Sequence, residues 1–116
     1  MEIRTKRIYE ASSREDGTRI LIDRLWPRGV SKERAAIDYW ARPVAPSDEL
    51  RKWYRHEPAK WDEFRARYFA ELDGNPEGLA ELRAHLEGDT VTLVFSSKEE
   101  RLNNAAALQA YLRALD

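Results

Sequence analysis

The sequence predicts a small three-layer, Rossmann-like α/β domain with a mostly parallel sheet and helices on both faces. Two buried-strand candidates carry this expectation, one near residues 20–23 and one at 90–95, Thr90-Val91-Thr92-Leu93-Val94-Phe95. Their short apolar runs, Ile20-Leu21-Ile22 and Leu93-Val94-Phe95 with its flanking β-branched residues, suit strands covered on both faces, as in a parallel sheet. The third observation is order: strand, loop, strand, several helices, strand and helix is the succession of a small α/β unit.

The elements follow in chain order. Ile3 to Tyr9 is a strand of mixed alternation, with Ile3, Thr5, Arg7 and Tyr9 on one face. Residues 10–18 are rich in turn formers and contain Asp16-Gly17, a strong turn signal. The first buried strand comes next, and Ile37 to Trp40 forms a weaker edge strand or a single turn. Ser47 is placed to cap a helix from Asp48 to Arg55, with acids in its first turn favouring the positive end of the dipole. Trp61, Phe64, Tyr68 and Leu72 recur at helical spacing, so 59–73 reads as an amphipathic helix stopped by Gly74. Asn75-Pro76 caps and opens another helix with Leu79, Leu82 and Leu86 on one face. After the second buried strand, Ser97 and Glu100 match a capping box. The final helix carries the stripe Leu102, Ala105, Leu108, Leu112 and Leu115.

Composition narrows the function. At 116 residues the chain has room for one domain, expected to span 1–116, and 42% hydrophobic residues are too many for a disordered chain. Zero cysteines exclude disulfides, thiolate chemistry and Cys-built metal sites. Two histidines are too few for most His-built ones, so no metal site is expected and the sequence implies no particular cofactor. No apolar run is long enough to span a bilayer, and Met1-Glu2-Ile3-Arg4 opens no secretory leader, so the expected location is cytoplasmic. The net charge is -1, yet residues 1–34 carry nine Lys/Arg against six Asp/Glu. Arginines outnumber lysines fifteen to five, and their planar fork suits carboxylates and phosphates, so the basic N-terminal third is where to seek an anion site.

Two constellations follow the buried strands. The first is Asp23-Arg24-Leu25-Trp26-Pro27-Arg28-Gly29. Ligands of open α/β sheets collect beyond the carboxyl ends of strands. There Arg24 and Arg28 form a two-pronged clamp for an anion, Trp26 walls the pocket, and Asp23 is the catalytic acid/base candidate. Internal pairing of Asp23 with Arg24 or Arg28, with Trp26 in the core, is the alternative. The second constellation runs from Ser96 to Asn104, where Ser96, Lys98 and the helix amides complete the cradle. Asn103 or Asn104, one turn inside that helix and off its leucine stripe, is a hydrogen-bonding candidate. Arg51, on the helix after Ser47, reaches toward the strand ends. The aromatics at 53, 54, 61, 64, 68 and 69 read as packing.

These stretches, together with Trp61-Asp62-Glu63-Phe64-Arg65-Ala66-Arg67-Tyr68 and Thr92-Leu93-Val94-Phe95-Ser96-Ser97-Lys98 with Asn103, carry a resemblance over nearly the whole chain. The sequence resembles the YeaO-like branch of domain-of-unknown-function family 488, and Asp23-Arg24-Leu25-Trp26-Pro27-Arg28-Gly29 is its specific string. The resemblance implies a small Rossmann-like domain of bacterial or archaeal type. Relatives in the broader family carry a Cys-His pair early in the last helix, where this chain has Asn103-Asn104, so their thiol chemistry does not carry over. Three functions remain open. The leading one is binding, with or without catalysis, of a phosphorylated small molecule or nucleotide-type anion at the two strand ends. The others are nucleic-acid binding through Arg4, Lys6, Arg7, Arg24, Arg28, Lys32 and Arg34, and a non-enzymatic interaction module or homo-oligomer rich in tryptophan.

Overall fold

A computed structural model describes residues 1–115; Asp116, the last residue of the expected domain, lies outside the described residues. Four strands form one parallel sheet: β1 (Glu2–Arg7), β2 (Thr18–Leu21), β3 (Tyr39–Trp40) and β4 (Thr90–Phe95), in the spatial order β1-β4-β2-β3. β4 is central because it pairs on both sides, Ile3 with Val91 along β1 and Ile20 with Leu93 along β2. The weak run before Trp40 becomes an edge strand of two residues beside β2. Between the strands lie helices α1 (Lys32–Ala35), α2 (Asp48–Tyr54), α3 (Trp61–Asp73) and α4 (Pro76–Ala84), and α5 (Asn104–Ala114) follows β4.

The two faces of the sheet are covered unequally. Ile20, Ile22, Val91, Leu93 and Phe95 point to one side, where α2, α3, α4 and α5 bury Leu50, Phe64, Tyr68, Leu82 and Leu108 against them. Leu21 and Val94, displaced by one residue in the pleat, point to the other side. There the one-turn α1 and its flanking loops add Val30, Ala35, Trp26 and Ile37, joined by Ile8 after β1 and Trp40 from β3. This thin layer is fastened by a buried polar network. Arg19 donates to the Ala35 carbonyl from Nε and Nη2, at 3.0 and 2.8 Å, and to Asp16 at 2.7 Å. Asp16 also accepts from Lys6 at 3.1 Å, and Thr92 Oγ1 donates to its backbone carbonyl. Gly17 turns the chain into β2 at φ +64°, where a Cβ would run into the Thr90 carbonyl.

Local signals hold at most element boundaries. Ser47 and Asn75 cap α2 and α4 by accepting from the Leu50 and Gly78 amides. β2 starts and ends two residues earlier than the apolar run suggested. Ile22 still donates to the Val94 carbonyl, but beyond it the Asp23 side chain replaces the ladder by accepting from Ser96 N–H. The last helix departs further. Ser97 is not its cap: Ser97 Oγ accepts from the Glu99 amide in a local turn, and Glu99 accepts from the amides of Arg101 and Leu102. α5 begins six residues later than that box implied, with Asn103 as N-cap accepting from Ala106 N–H at 2.9 Å.

Each tryptophan is half-buried with an aromatic or cationic neighbour. Trp26 meets Trp40 edge-on, Trp53 lies under Arg67 and Lys60, and Trp61 stacks on Phe64. Tyr68 is fully buried and donates from its hydroxyl to the Val44 carbonyl at 2.6 Å. Burial, with Glu71 and Asp23 nearby, pushes that phenol above its ordinary value. Tyr68→Phe removes the donor and leaves a buried carbonyl unmatched, so urea denaturation is expected to register a loss of about 1–2 kcal/mol with an unchanged m-value.

Candidate functional site

β2 and β4 are neighbours, but the chain leaves them in different directions. The helix after β2, α1, packs on the thin face, whereas α5, following β4, packs on the thick one. Diverging exits of this kind open a crevice at the carboxyl ends of parallel strands. A cleft of about 660 Å³ lies there, lined by Asp23, Ser96 and Ser97 from the strand exits. Leu25, Trp26, Pro27 and Arg28 from the loop after β2, with Tyr9 after β1, form one wall; Arg51, Lys52, Tyr54, Arg55 and His56 from α2 form another. Among the described residues no group of three or more His, Cys, Asp or Glu is placed to hold a metal ion.

Five cationic side chains, Arg24, Arg28, Arg51, Lys52 and Arg55, face this cleft against one carboxylate, Asp23. Both oxygens of Asp23 are engaged: Oδ2 accepts from Ser96 N–H at 2.9 Å and Oδ1 from the Asn104 side chain at 3.0 Å. Its backbone carbonyl accepts from Trp40 Nε1, so one residue ties the exits of β2 and β4, the edge strand and the start of α5. Arg24 is partly occupied by the carbonyls of Pro46 and Ala45. Asp48 lies 3.2 Å from Arg51 and 3.9 Å from Arg24, and the Arg51 hydrogen bond holds its carboxyl below the ordinary value. Arg28, Lys52 and Arg55 have no acidic partner within ion-pair distance among the described residues.

The end of α2 is shaped by backbone conformation. Arg55 and His56 both adopt left-handed φ, at 50° and 57°, which costs a side-chain-bearing residue about 1–2 kcal/mol. This double turn leaves both side chains in the cleft wall, with His56 Nδ1 3.3 Å from Ser97 Oγ. Below them, Tyr54 stacks on Phe64 with ring centres 4.2 Å apart and donates to the Leu102 carbonyl. Burial, reinforced by Glu99, pushes the Tyr54 hydroxyl up to about 12.

Of the residues expected at the site, Asp23, Arg24, Trp26, Arg28, Arg51 and Ser96 line one cleft. Asn103 does not: it is fully buried, donating to the Glu99 carbonyl while its oxygen caps α5. That cap occupies the Ala106 amide, and Ser96 N–H is taken by Asp23. Lys98 is exposed on the 97–102 turn and is not among the cleft-lining residues. Asp23 pairs with neither Arg24 nor Arg28. Sequence reasoning missed Lys52 and Arg55, whose only signal was a cluster of bases near the end of a capped helix. In the basic N-terminal third, Arg4 is paired with Glu2 and Lys6 with Asp16.

The chain is similar to curated bacterial proteins along its length. It is 39% identical over 115 residues to the uncharacterized protein YeaO of Escherichia coli K12, covering 99% of this chain and all of that protein. It is 41% identical over 110 residues to the uncharacterized protein Rv3073c of Mycobacterium tuberculosis H37Rv, covering 95% of this chain and 92% of the relative. No solved structure gives a significant match. No helix among the described residues is long and apolar enough to cross a membrane. A family model described as the inactive DUF488-N3 subclade matches residues 2–115, and the chain, with its parallel sheet and its asparagines at the start of α5, belongs to that family, DUF488-N3i.

Proposed function

We propose that the cleft beyond β2 and β4 binds a phosphorylated small molecule and that the domain acts by binding rather than turnover. One observation carries the reading: five cationic side chains line a cleft whose one carboxylate among the described residues, Asp23, is already occupied by two hydrogen-bond donors. Anions are bound strongly where charge-assisted bonds from Arg and Lys converge. The absence of turnover is supported by the description of the family as an inactive subclade, and by the two asparagines at the start of α5. Neither is a nucleophile: Asn103 caps the helix and Asn104 holds Asp23. Asp23, the proton-transfer candidate, acts in this reading as a positioning residue for Ser96 and Asn104.

Isothermal titration calorimetry with inorganic pyrophosphate tests the proposal. Arg28 is exposed and its side chain has no acidic partner among the described residues, so Arg28→Ala is expected to leave the melting temperature unchanged. It should weaken pyrophosphate binding by about 10-fold or more, the equivalent of one lost charge-assisted contact. Absence of pyrophosphate binding to the unmodified protein, or equal affinity in the variant, would overturn the reading.

A further inference from the structure

Resting on the anion reading, we infer that the ligand is a nucleoside diphosphate, its ring on Trp26 and Leu25 and its two phosphates between Arg28 and the cations of the α2 wall. Three observations lead there. The first is charge. Asp48 already pairs with Arg51 and lies close to Arg24, leaving Arg28, Lys52 and Arg55 uncompensated among the described residues. A phosphate monoester carries only about 1.5 to 2 negative charges at neutral pH, too few for three cations; a diphosphate meets them all.

The second observation is the chemistry of the facing wall. The loop after β2 presents Leu25, 57% exposed, beside Trp26, and Tyr9 adds a ring that is 38% exposed. The Trp26 indole is held in place: its Nε1 donates to the Val30 carbonyl at 2.8 Å and its ring meets Trp40 edge-on at 5.5 Å. A ring fixed in this way offers a stacking surface whose ordering cost has already been met in folding. An apolar wall has no use to a bare phosphate, whereas a nucleobase has a flat π-face for it. The third is size. About 660 Å³ falls within the range of small-molecule and cofactor pockets and far exceeds what a single phosphate needs.

The full-length protein is titrated with ADP, AMP, adenosine and pyrophosphate, without divalent metal, by calorimetry and tryptophan fluorescence. ADP is expected to bind about 10-fold tighter than pyrophosphate, the usual worth of one base stacked on an aromatic ring, and tighter than AMP. Trp26→Ala is expected to bring ADP down to the affinity of pyrophosphate without changing pyrophosphate itself. Because Trp26 packs on Trp40, Leu25→Asp on the same exposed wall is the companion variant, expected to weaken ADP more than pyrophosphate. Lys52→Ala should erase the preference for ADP over AMP. Equal binding of ADP and pyrophosphate, with Leu25→Asp affecting both alike, would overturn the nucleoside assignment and leave the anion reading standing. If neither pyrophosphate nor ADP binds, both fall. Tighter binding of a short single-stranded oligonucleotide than of ADP would overturn the assignment in favour of nucleic acid.

Discussion

Asp16→Ala is expected to destabilise the domain by about 3–5 kcal/mol, the usual cost of leaving one partner of a buried ion pair uncompensated. Asp16 is 5% exposed and Arg19 3% exposed, so neither charge has water to fall back on. Without the carboxylate, Arg19 keeps its bonds to the Ala35 carbonyl but loses its counter-ion, and Lys6 and the Ser13 amide lose their acceptor. The thin face of the sheet rests on this network, because α1 has a single turn and little apolar surface of its own. The same residue governs the acid limb of stability. Burial raises the Asp16 carboxyl, but hydrogen bonds from Lys6, the Ser13 amide and Arg19 outweigh it and hold the group below its ordinary value. A carboxyl depressed in the folded state contributes fully above its unfolded pKa, about 3.9, and the contribution is lost as pH falls through the folded value. Urea denaturation from pH 7 down to pH 3 checks both points. The wild type should lose this share of stability below about pH 4, whereas the variant is weakened already at pH 7 and has no such share to lose. A variant within 1 kcal/mol of wild type at pH 7 would mean that the buried pair is replaceable by water or by a shift of the Arg14–Asp16 turn.

The second large effect is expected at Asp23. Asp23→Ala removes the acceptor for Ser96 N–H and for the Asn104 side chain, two charge-assisted bonds, and should cost about 2–4 kcal/mol. The loss falls where β2, β4 and α5 meet, so hydrogen exchange should rise first at Ser96 and in the opening turn of α5. Asp23→Asn separates architecture from electrostatics. An amide oxygen keeps one of the two bonds, while the one carboxylate that lines the cleft among the described residues is neutralised. Pyrophosphate should therefore bind more tightly to Asp23→Asn than to wild type, with the gain shrinking as salt is raised. A weaker affinity would show that Asp23 touches the ligand itself, as a proton acceptor must.

Much of this molecule was legible because it is local. The apolar run of β4, the Ser47 and Asn75 caps and the helical spacing of Phe64, Tyr68 and Leu72 depend on neighbours within a few residues. Backbone hydrogen bonds and side-chain periodicity act over that range. The stretch from Asp23 to Arg28 could likewise be placed beyond the carboxyl end of a buried strand, where the cleft lies, since it follows that strand directly. What the chain could not disclose alone was the outcome of competition between local and distant partners. Ser97 and Asn103 both offer a plausible cap. Asn103 prevails because residues 97–102 are held in a turn by Glu99 and by the Tyr54 hydroxyl on the Leu102 carbonyl, a contact 48 positions apart. That turn carries Lys98 away from the cleft, while the left-handed pair at the end of α2 brings Arg55 and His56 into it. Charge in a sequence has a sign but no direction. Which cations share one hollow is decided by where the strand exits and the helix ends are packed.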